Sequence, residues 1–287
     1  MQTRSIALLK DFEVFLQKHL PLTESFHPTY QQALTEMFQA GGKRFRPLIL
    51  LEVVDSYEPL LVPAAFHIAA GIEMLHTYSL IHDDLPTFDN ADLRRGHPTL
   101  HITYDEVTAT LIGDALNSHS FYMIANAPLS SDCKIELIKE LSLNGGASGM
   151  VLGQAIDCFF ENKKLNIEEL SFLHIHKTAK LIAASLKMGA IIVDLDKYKQ
   201  DLFYEIGLKI GLLFQIQDDI IDATMSSEDA GKPTSNDSEK NSFTNLLGVN
   251  GAMMKKNETI DEIQEQLSYL DTKIKIKLEK MIDYYFR

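Results

Sequence analysis

The sequence predicts an all-α fold in a single domain spanning residues 1–287. Three observations carry that prediction. Almost every apolar segment repeats at the helical period, and no useful stretch alternates at the two-residue period of a strand. No internal repeat and no shift in composition marks a domain boundary. The hydrophobic share of 45% in 287 residues suits one large domain with a substantial core.

Taken in order, residues 5–19 place Ile6, Leu8, Leu9, Phe12, Phe15 and Leu16 on an amphipathic stripe. A second helix over 28–40 stops at Gly41-Gly42. Pro47 suits the first turn of the next helix, with Leu48, Ile49, Leu50, Leu51, Val53 and Val54 behind it. Pro59 and Pro63 bracket a short turn. Residues 64–84 form a long, mostly apolar helix, and Ala64, Ala65, Ala69, Ala70 and Gly71 suit the close packing of a central core helix. A polar connection over 86–101 contains Pro86, Gly96 and Pro98. Helices follow at 103–126, 132–160, 167–193 and 198–222. Thr103 with Glu106, and Asn166 with Glu169, read as capping boxes. Residues 223–239 read as a loop of the length that often serves as a lid. A last helical stretch covers 254–285, bent near 268–272.

The chain carries 40 acidic against 27 basic side chains, a net charge of -13, which argues against nucleic-acid binding. Cys133 and Cys158 lack metal-site spacing and make no disulfide scaffold, so a reducing compartment is expected. The N-terminal apolar run is too short for a signal peptide. No run reaches about eighteen uncharged apolar residues, so no transmembrane segment is expected. The expected location is cytoplasmic.

Two aspartate clusters stand out. One is Asp83-Asp84-Leu85-Pro86-Thr87-Phe88-Asp89, followed by Asp92, Arg94 and Arg95; the other is Gln215-Ile216-Gln217-Asp218-Asp219-Ile220-Ile221-Asp222. Carboxylates gathered beside apolar sequence are costly unless a cation neutralises them. Asp218 and Asp222, four apart, share a helix face, while Asp219 is turned about 100° away. Asp83 and Asp89, six apart, do not align on an unbroken helix and need a local bend to converge. All-oxygen ligands favour Mg²⁺ or Mn²⁺ over zinc, and an open carboxylate wall suits Mg²⁺ shared with substrate phosphates. Gly41-Gly42-Lys43-Arg44-Phe45-Arg46-Pro47 puts three cations at a helix start, an anion-binding position. Arg94 and Arg95 present guanidinium forks that match phosphate oxygens. Lys177, Lys232 and Lys240 are further cationic candidates, and Gly231-Lys232 lacks the glycine-rich pattern of a P-loop. Taken singly, each acidic or basic group has a blander reading as a helix cap or a solvated charge. A lone histidine such as His76 on an apolar helix is more often a core group, and His82 is read as structural.

The ordered set of motifs resembles the trans-isoprenyl diphosphate synthases, particularly the bacterial-type farnesyl diphosphate synthases, over nearly the whole chain. Its marks are the 41–47 segment; His76-Thr77-Tyr78-Ser79-Leu80-Ile81-His82-Asp83-Asp84-Leu85-Pro86; Asp92-Leu93-Arg94-Arg95-Gly96; Gly153-Gln154-Ala155-Ile156-Asp157; Lys177-Thr178; the 214–222 segment; and Gly231-Lys232 with Lys240. The resemblance implies an isoprenoid synthase-type helical bundle around a central cavity, acting as a homodimer. It implies head-to-tail condensation of isopentenyl diphosphate with dimethylallyl and geranyl diphosphate, with three Mg²⁺ ions as cofactor. Asp83, Asp89 and Asp218 would be the metal ligands, with Asp84 and Asp222 supporting. Arg94, Lys177 and Lys232 would contact the allylic diphosphate. Lys43, Arg46, His76 and Arg95 would hold isopentenyl diphosphate, and Thr178 and Gln215 would be a polar pair near the reacting carbons. Tyr284-Tyr285-Phe286-Arg287 would help to seal the basic pocket.

The same resemblance puts Tyr78 and Ser79 at the floor of the pocket that limits chain growth. Helical periodicity alone does not put Tyr78 there, since five residues turn it about 140° from Asp83. An aromatic floor implies a C15 product; geranylgeranyl or geranyl diphosphate are the alternatives. Three departures from the family pattern are Ala91 in place of a further acid, Ala179 in place of glycine, and Asn241-Ser242-Phe243 after Lys240. A terpene cyclase would not need the second set of cations, and a non-catalytic regulatory subunit would often lose one acidic motif; both motifs are present.

Overall fold

The computed structural model describes residues 3–224 and 241–286. Among these the protein is a mostly helical bundle: α1 (Thr3–Lys18), α2 (Tyr30–Gln39), α3 (Phe45–Tyr57), a 3-10 turn (Pro59–Leu61), α4 (Val62–Asp83), α5 (Leu100–Thr103), α6 (Glu106–Ala125), α7 (Ser131–Gly145), α8 (Met150–Phe159), α9 (Ile167–His174), α10 (Lys180–Ile192), α11 (Lys197–Thr224), α12 (Phe243–Leu267) and α13 (Thr272–Phe286). Packing runs α6 on α4, α4 on α3, α3 on α10, α10 on α11 and α11 on α12. The expected all-α bundle is what the chain forms.

The middle of that succession is apolar all round. Ala65, Ile68, Ala69, Ala70, Ile72 and Met74 of α4, and Leu48 to Leu51 of α3, are fully buried. By length and composition α4 with the preceding 3-10 turn could span a membrane, but 67% of that stretch is buried inside the bundle. Small residues set the interhelix distances. A Cβ on Gly71 would stand 2.7 Å from the Ser120 carbonyl of α6. On the other side, Gly207 and Gly211 of α11 lie against Ala183 and Ala179 too closely for any side chain.

Several boundaries differ from expectation, each for a local reason. The helix predicted over 132–160 is two, because the chain turns back at Gly146–Gly149, and the Gly149 position abuts the Asn144 carbonyl. Thr103 ends the short α5 instead of capping α6. The cap is Asp105, whose carboxylate accepts from Thr108 N–H at 2.6 Å. The capping box at Asn166 and Glu169 is present as read. The last helical stretch begins at Phe243, not 254; it is kinked at Gly248 (φ 70°) and interrupted after Leu267. The connection over 86–101 contains a small hairpin, Leu93–Arg94 paired with His97–Pro98. Its turn residues Arg95 and Gly96 both have positive φ, 55° and 78°, as a tight primed turn requires. The loop expected over 223–239 is helical at its first two positions; residues 225–240, with Lys232 and Lys240, lie outside the described residues.

A buried ionic knot fastens the two chain ends to α3. The Lys277 ammonium, 5% exposed, lies 2.7 Å from Glu52 and 2.7 Å from Asp55. Arg4 Nε donates to Asp55 at 3.0 Å, and Lys273 to the Asp55 carbonyl at 2.7 Å. Burial alone would raise the Asp55 carboxyl, but Arg4 and Lys277 outweigh it and hold it below the ordinary value. Removing the cation from such a group strands buried carboxylates. Lys277→Ala is therefore expected to lower unfolding stability by about 3–5 kcal/mol in urea titration. A loss under about 1 kcal/mol would show that solvent or Arg4 takes over the lysine's role.

Candidate active site

Asp83 is the last residue of α4 and Asp84 its C-cap. The chain then folds back: Phe88 N–H donates to Leu85 at 2.9 Å, Asp89 N–H to the Asp83 carbonyl at 2.9 Å, and Ala91 N–H to Asp84 at 3.1 Å. Asn90 takes a positive φ of 47° to close the turn. This is the bend that brings Asp89 back beside Asp83.

The Asp83 carboxylate meets groups from two other helices. Gln154 of α8 donates to it at 2.6 Å, and Lys177 Nζ lies 3.6 Å away. Lys177 also contacts Asp157 of α8 at 2.5 Å. Burial works against the ammonium, but Asp83 and Asp157 together keep the Lys177 pKa above the ordinary value. Asp84 faces elsewhere. It is 2% exposed and accepts the Arg94 fork, Nε at 2.9 Å. Burial still raises its pKa despite Arg94. Arg94 NH2 stands 4.0 Å from Asp83.

Lys177 and Thr178 sit in a π-helical turn, Ile175–Ala179, set between α9 and α10. The extra residue in that turn re-aims the side chains, a device frequent at functional sites. Lys177 points to Asp83, and Thr178 donates to Gln215 of α11 at 2.9 Å. Asp218 lies three residues beyond Gln215, on the same helix face. Asp83 is thus linked to Lys177, and the neighbouring Thr178 to Gln215 on the helix face that carries Asp218. The neighbouring Asp219 accepts Phe243 N–H at 2.7 Å, so it anchors the start of α12. Asp222 is half-buried one turn further along. Among the described residues no three acidic, histidine or cysteine side chains close a metal cage. The donors are open carboxylates on separate helices, as suits Mg²⁺ completed by phosphate oxygens.

A second, cationic group lies along α4. Arg46 approaches His76 Nε2 at 3.2 Å, and its buried Nε has no hydrogen-bond partner. Burial lowers Arg46 to about 10, opposed by Glu73. Burial, then Arg46, Arg95, Arg94 and Arg44, push His76 well below its usual value, so its ring is neutral. Arg95, on the hairpin turn, donates to the Gly41 carbonyl. Lys43 Nζ lies 5.9 Å from the Phe214 ring centre. Tyr285 packs edge-on to Phe45 at 5.1 Å, and Phe286 on Phe214 at 6.1 Å. The third cation of the 41–47 segment does not join this group: Arg44 is buried against Glu13 and Glu73.

Residues 27–284 match the polyprenyl synthetase family. The chain is 38% identical over 291 residues to a farnesyl diphosphate synthase of Micrococcus luteus, covering 99% of this chain and 98% of that one. The bundle superposes with a TM-score of 0.93 on the geranyltransferase of Helicobacter pylori solved with magnesium and isoprenyl diphosphate, at 48% identity, covering 99% and 97% of the two chains. The chain belongs to the polyprenyl synthetase family. With the family goes prenyltransferase chemistry. A chloroplastic geranylgeranyl pyrophosphate synthase of Catharanthus roseus is also 38% identical, over 85% of this chain and 70% of its own length.

The remaining residues of this polyprenyl synthetase have definite places. Tyr78, 8% exposed, stands edge-on to His82 with ring centres 5.6 Å apart. Ser79 donates to the His76 carbonyl at 2.8 Å. His82 approaches the Thr110 carbonyl at 3.0 Å, a contact between helices. Ala179 is fully buried against Gly211. Asn241 Nδ2 donates to the Phe160 and Lys163 carbonyls at 2.9 and 2.8 Å. Gln154 and Asp157, part of a recognised motif but given no role from sequence, are here direct partners of Asp83 and Lys177.

Gly153 is where α8 crosses the π turn, and any Cβ there would collide with the backbone of Lys177. Gly153→Ala is expected to push Lys177 from Asp83, lowering turnover at least about tenfold and stability by roughly 1–3 kcal/mol. Steady-state rates beside a urea titration test this; wild-type turnover would mean that the π turn yields freely.

Proposed function

We propose that the protein is a farnesyl diphosphate synthase. It condenses isopentenyl diphosphate with dimethylallyl diphosphate and then with geranyl diphosphate, releasing pyrophosphate each time. One observation carries the reading: beside the acidic site, where Asp83 meets Lys177 and Thr178 meets Gln215, stands a separate cation group in which Arg46 meets His76. Two diphosphates need two such sites, and a terpene cyclase needs only one.

Asp83, Asp89 and Asp218 would hold three Mg²⁺ ions, with Asp84 and Asp222 supporting and Mn²⁺ as a substitute. When bound, the metal neutralises diphosphate charge and stabilises pyrophosphate as it leaves. The chain's own groups do the rest. Lys177, Lys232 and Arg94 contact the allylic diphosphate, Arg94 exchanging Asp84 for phosphate oxygens. Lys43, Arg46 and Arg95 bind isopentenyl diphosphate. The unpartnered Arg46 Nε is a donor ready for it, and neutral His76 adds a hydrogen bond without added charge. Thr178 and Gln215, fixed on each other, present oxygen dipoles to the positive charge that develops on the allylic carbons. The apolar wall of α4 and α6 excludes water that would quench that charge. Tyr78 forms the floor that halts growth at C15, with Ser79 beside it. We place this synthase as one domain over residues 1–287, acting as a cytoplasmic homodimer.

Incubation with labelled isopentenyl diphosphate, Mg²⁺ and dimethylallyl, geranyl or farnesyl diphosphate tests the reading. Chromatography of the dephosphorylated products is expected to show farnesol from the first two substrates and no further extension of the third. No elongation with any pairing would refute it. Asp83→Ala and Asp218→Ala should each cut turnover by at least about a thousandfold with helical content retained. Tyr78→Ala should shift the product to C20 or longer; unchanged C15 output would remove Tyr78 from the floor.

A further inference from the structure

Behind the cations of the second pocket lies one carboxylate with no role in binding. Glu73 is on α4, 2% exposed, one turn before His76. Its Oε1 accepts from Arg44 NH1 at 2.9 Å. Arg44 is strained into a left-handed conformation (φ 46°, ψ 37°), an uncommon position for a side chain of this size. It is held there from three sides: by Glu73, by Glu13 of α1 through Nε at 3.0 Å, and by the Phe38 carbonyl of α2 at 3.0 Å. Lys43 and Arg46 flank it in sequence, so whatever holds Arg44 holds them.

We infer that Glu73 is a positioning residue for the isopentenyl diphosphate pocket: it is the buried partner that braces Arg44 between the pocket cations Lys43 and Arg46. The inference rests on the reading of that pocket given above. Glu73 is the carboxylate whose field reaches Arg44, Arg46 and Arg95 alike, and it favours the charged form of each. Burial disfavours the charge on Arg46, and so does Arg95. Without Glu73, Arg44 loses its buried anion, and the strained turn that carries Lys43 and Arg46 can relax. The pocket would then have to be reassembled around each incoming diphosphate.

Two effects compete when Glu73 is neutralised. Deleting a negative charge beside a cationic pocket strengthens attraction for any anion. Losing the brace and counter-charge disperses the cations that bind it. The inference is that dispersal wins, so the sign of the change is itself the test. Glu73→Gln is expected to raise the KM for isopentenyl diphosphate on the order of tenfold, the usual scale for a supporting partner behind a charged site. The KM for geranyl diphosphate should stay within about twofold, since that site lies at the far end of α4. Glu13→Gln is the control. It removes the half-exposed partner of Arg44 and leaves the buried Glu73 pair in place, so it should raise the KM for isopentenyl diphosphate less than Glu73→Gln does.

Should Glu73→Gln fold poorly, Glu73→Gln combined with Arg44→Gln removes the pair together and leaves no stranded charge. It should retain the raised KM. Calorimetric binding of isopentenyl diphosphate alone provides a readout independent of turnover. Wild-type protein that neither binds it nor elongates would refute the functional reading itself. Wild-type protein that does both, with Glu73→Gln binding equally or more tightly, would overturn the role of Glu73 alone. So would a double variant with wild-type KM, since the braced Arg44 would then be dispensable to the pocket.

Discussion

One buried helix fixes the distance between two sites of opposite charge. His76 and Asp83 are seven residues apart on α4, almost two full turns. They therefore point to the same side, separated by about 10 Å along the axis. Neither residue is free to drift, because α4 is packed on α3 and α6 and is apolar nearly all round. The cation group gathers at one end of this ruler and the carboxylates at the other. Reactions between two diphosphates need their reacting carbons close and their charged ends apart, and the helix imposes both requirements at once.

The pairings seen within the protein follow from the same constraint. Charges of one sign packed beside apolar helices need partners. Where a group has a structural task the partner is permanent and close, as for Arg44 with Glu73 and Asp219 with Phe243 N–H. Where a group faces the cleft the partner is exchangeable. Arg94 rests on Asp84 and Lys177 on Asp157, each at a site that phosphate oxygens could take over. Among the described residues Arg46 has only His76 beside one nitrogen. The degree to which each cation is satisfied thus separates bracing groups from groups awaiting an anion, a distinction that charge and sequence position cannot make.

Much of this was legible in the sequence because it depends on period and punctuation. Helical repeats, the Gly41-Gly42 stop, the Asn166 cap and the small residues of α4 are local signals, and each element they marked exists. The two aspartate clusters and the Lys177-Thr178 pair could also be picked out by residue type. What escaped depends on contacts distant in sequence. The break at Gly146 looks like an ordinary helical glycine until the chain turns back and Gly149 abuts the Asn144 carbonyl. The Thr103 box fails because Asp105 offers a better cap two residues on. Asp83 and Asp89 meet through a backbone hydrogen bond that no periodicity encodes. The π turn has no compositional mark at all. Arg44, between Lys43 and Arg46, reads as a third binding cation until Glu13 and Glu73 claim it.

Two ionic clusters bracket α3, and their position explains why buried charge is tolerated there. At its N-terminal end Arg44 joins α1, α2 and α4; further along, Glu52 and Asp55 join the N-terminal Arg4 and the C-terminal Lys277. Helices buried on every side have no amphipathic face, so the hydrophobic effect does not fix their rotation. Leu48 to Leu51 could be turned a third of a circle and remain buried. The charged residues cannot, because a misaligned buried carboxylate is left unpaired at a cost of several kcal/mol. The ion pairs therefore set the register of α3 more than they add to its net stability. That register decides where Arg46 and Phe45 point. Because Lys277 belongs to α13, the same cluster also sets where Tyr285 and Phe286 meet Phe45 and Phe214. The shape of the cationic pocket is thus determined from inside the core, by groups that never touch a substrate.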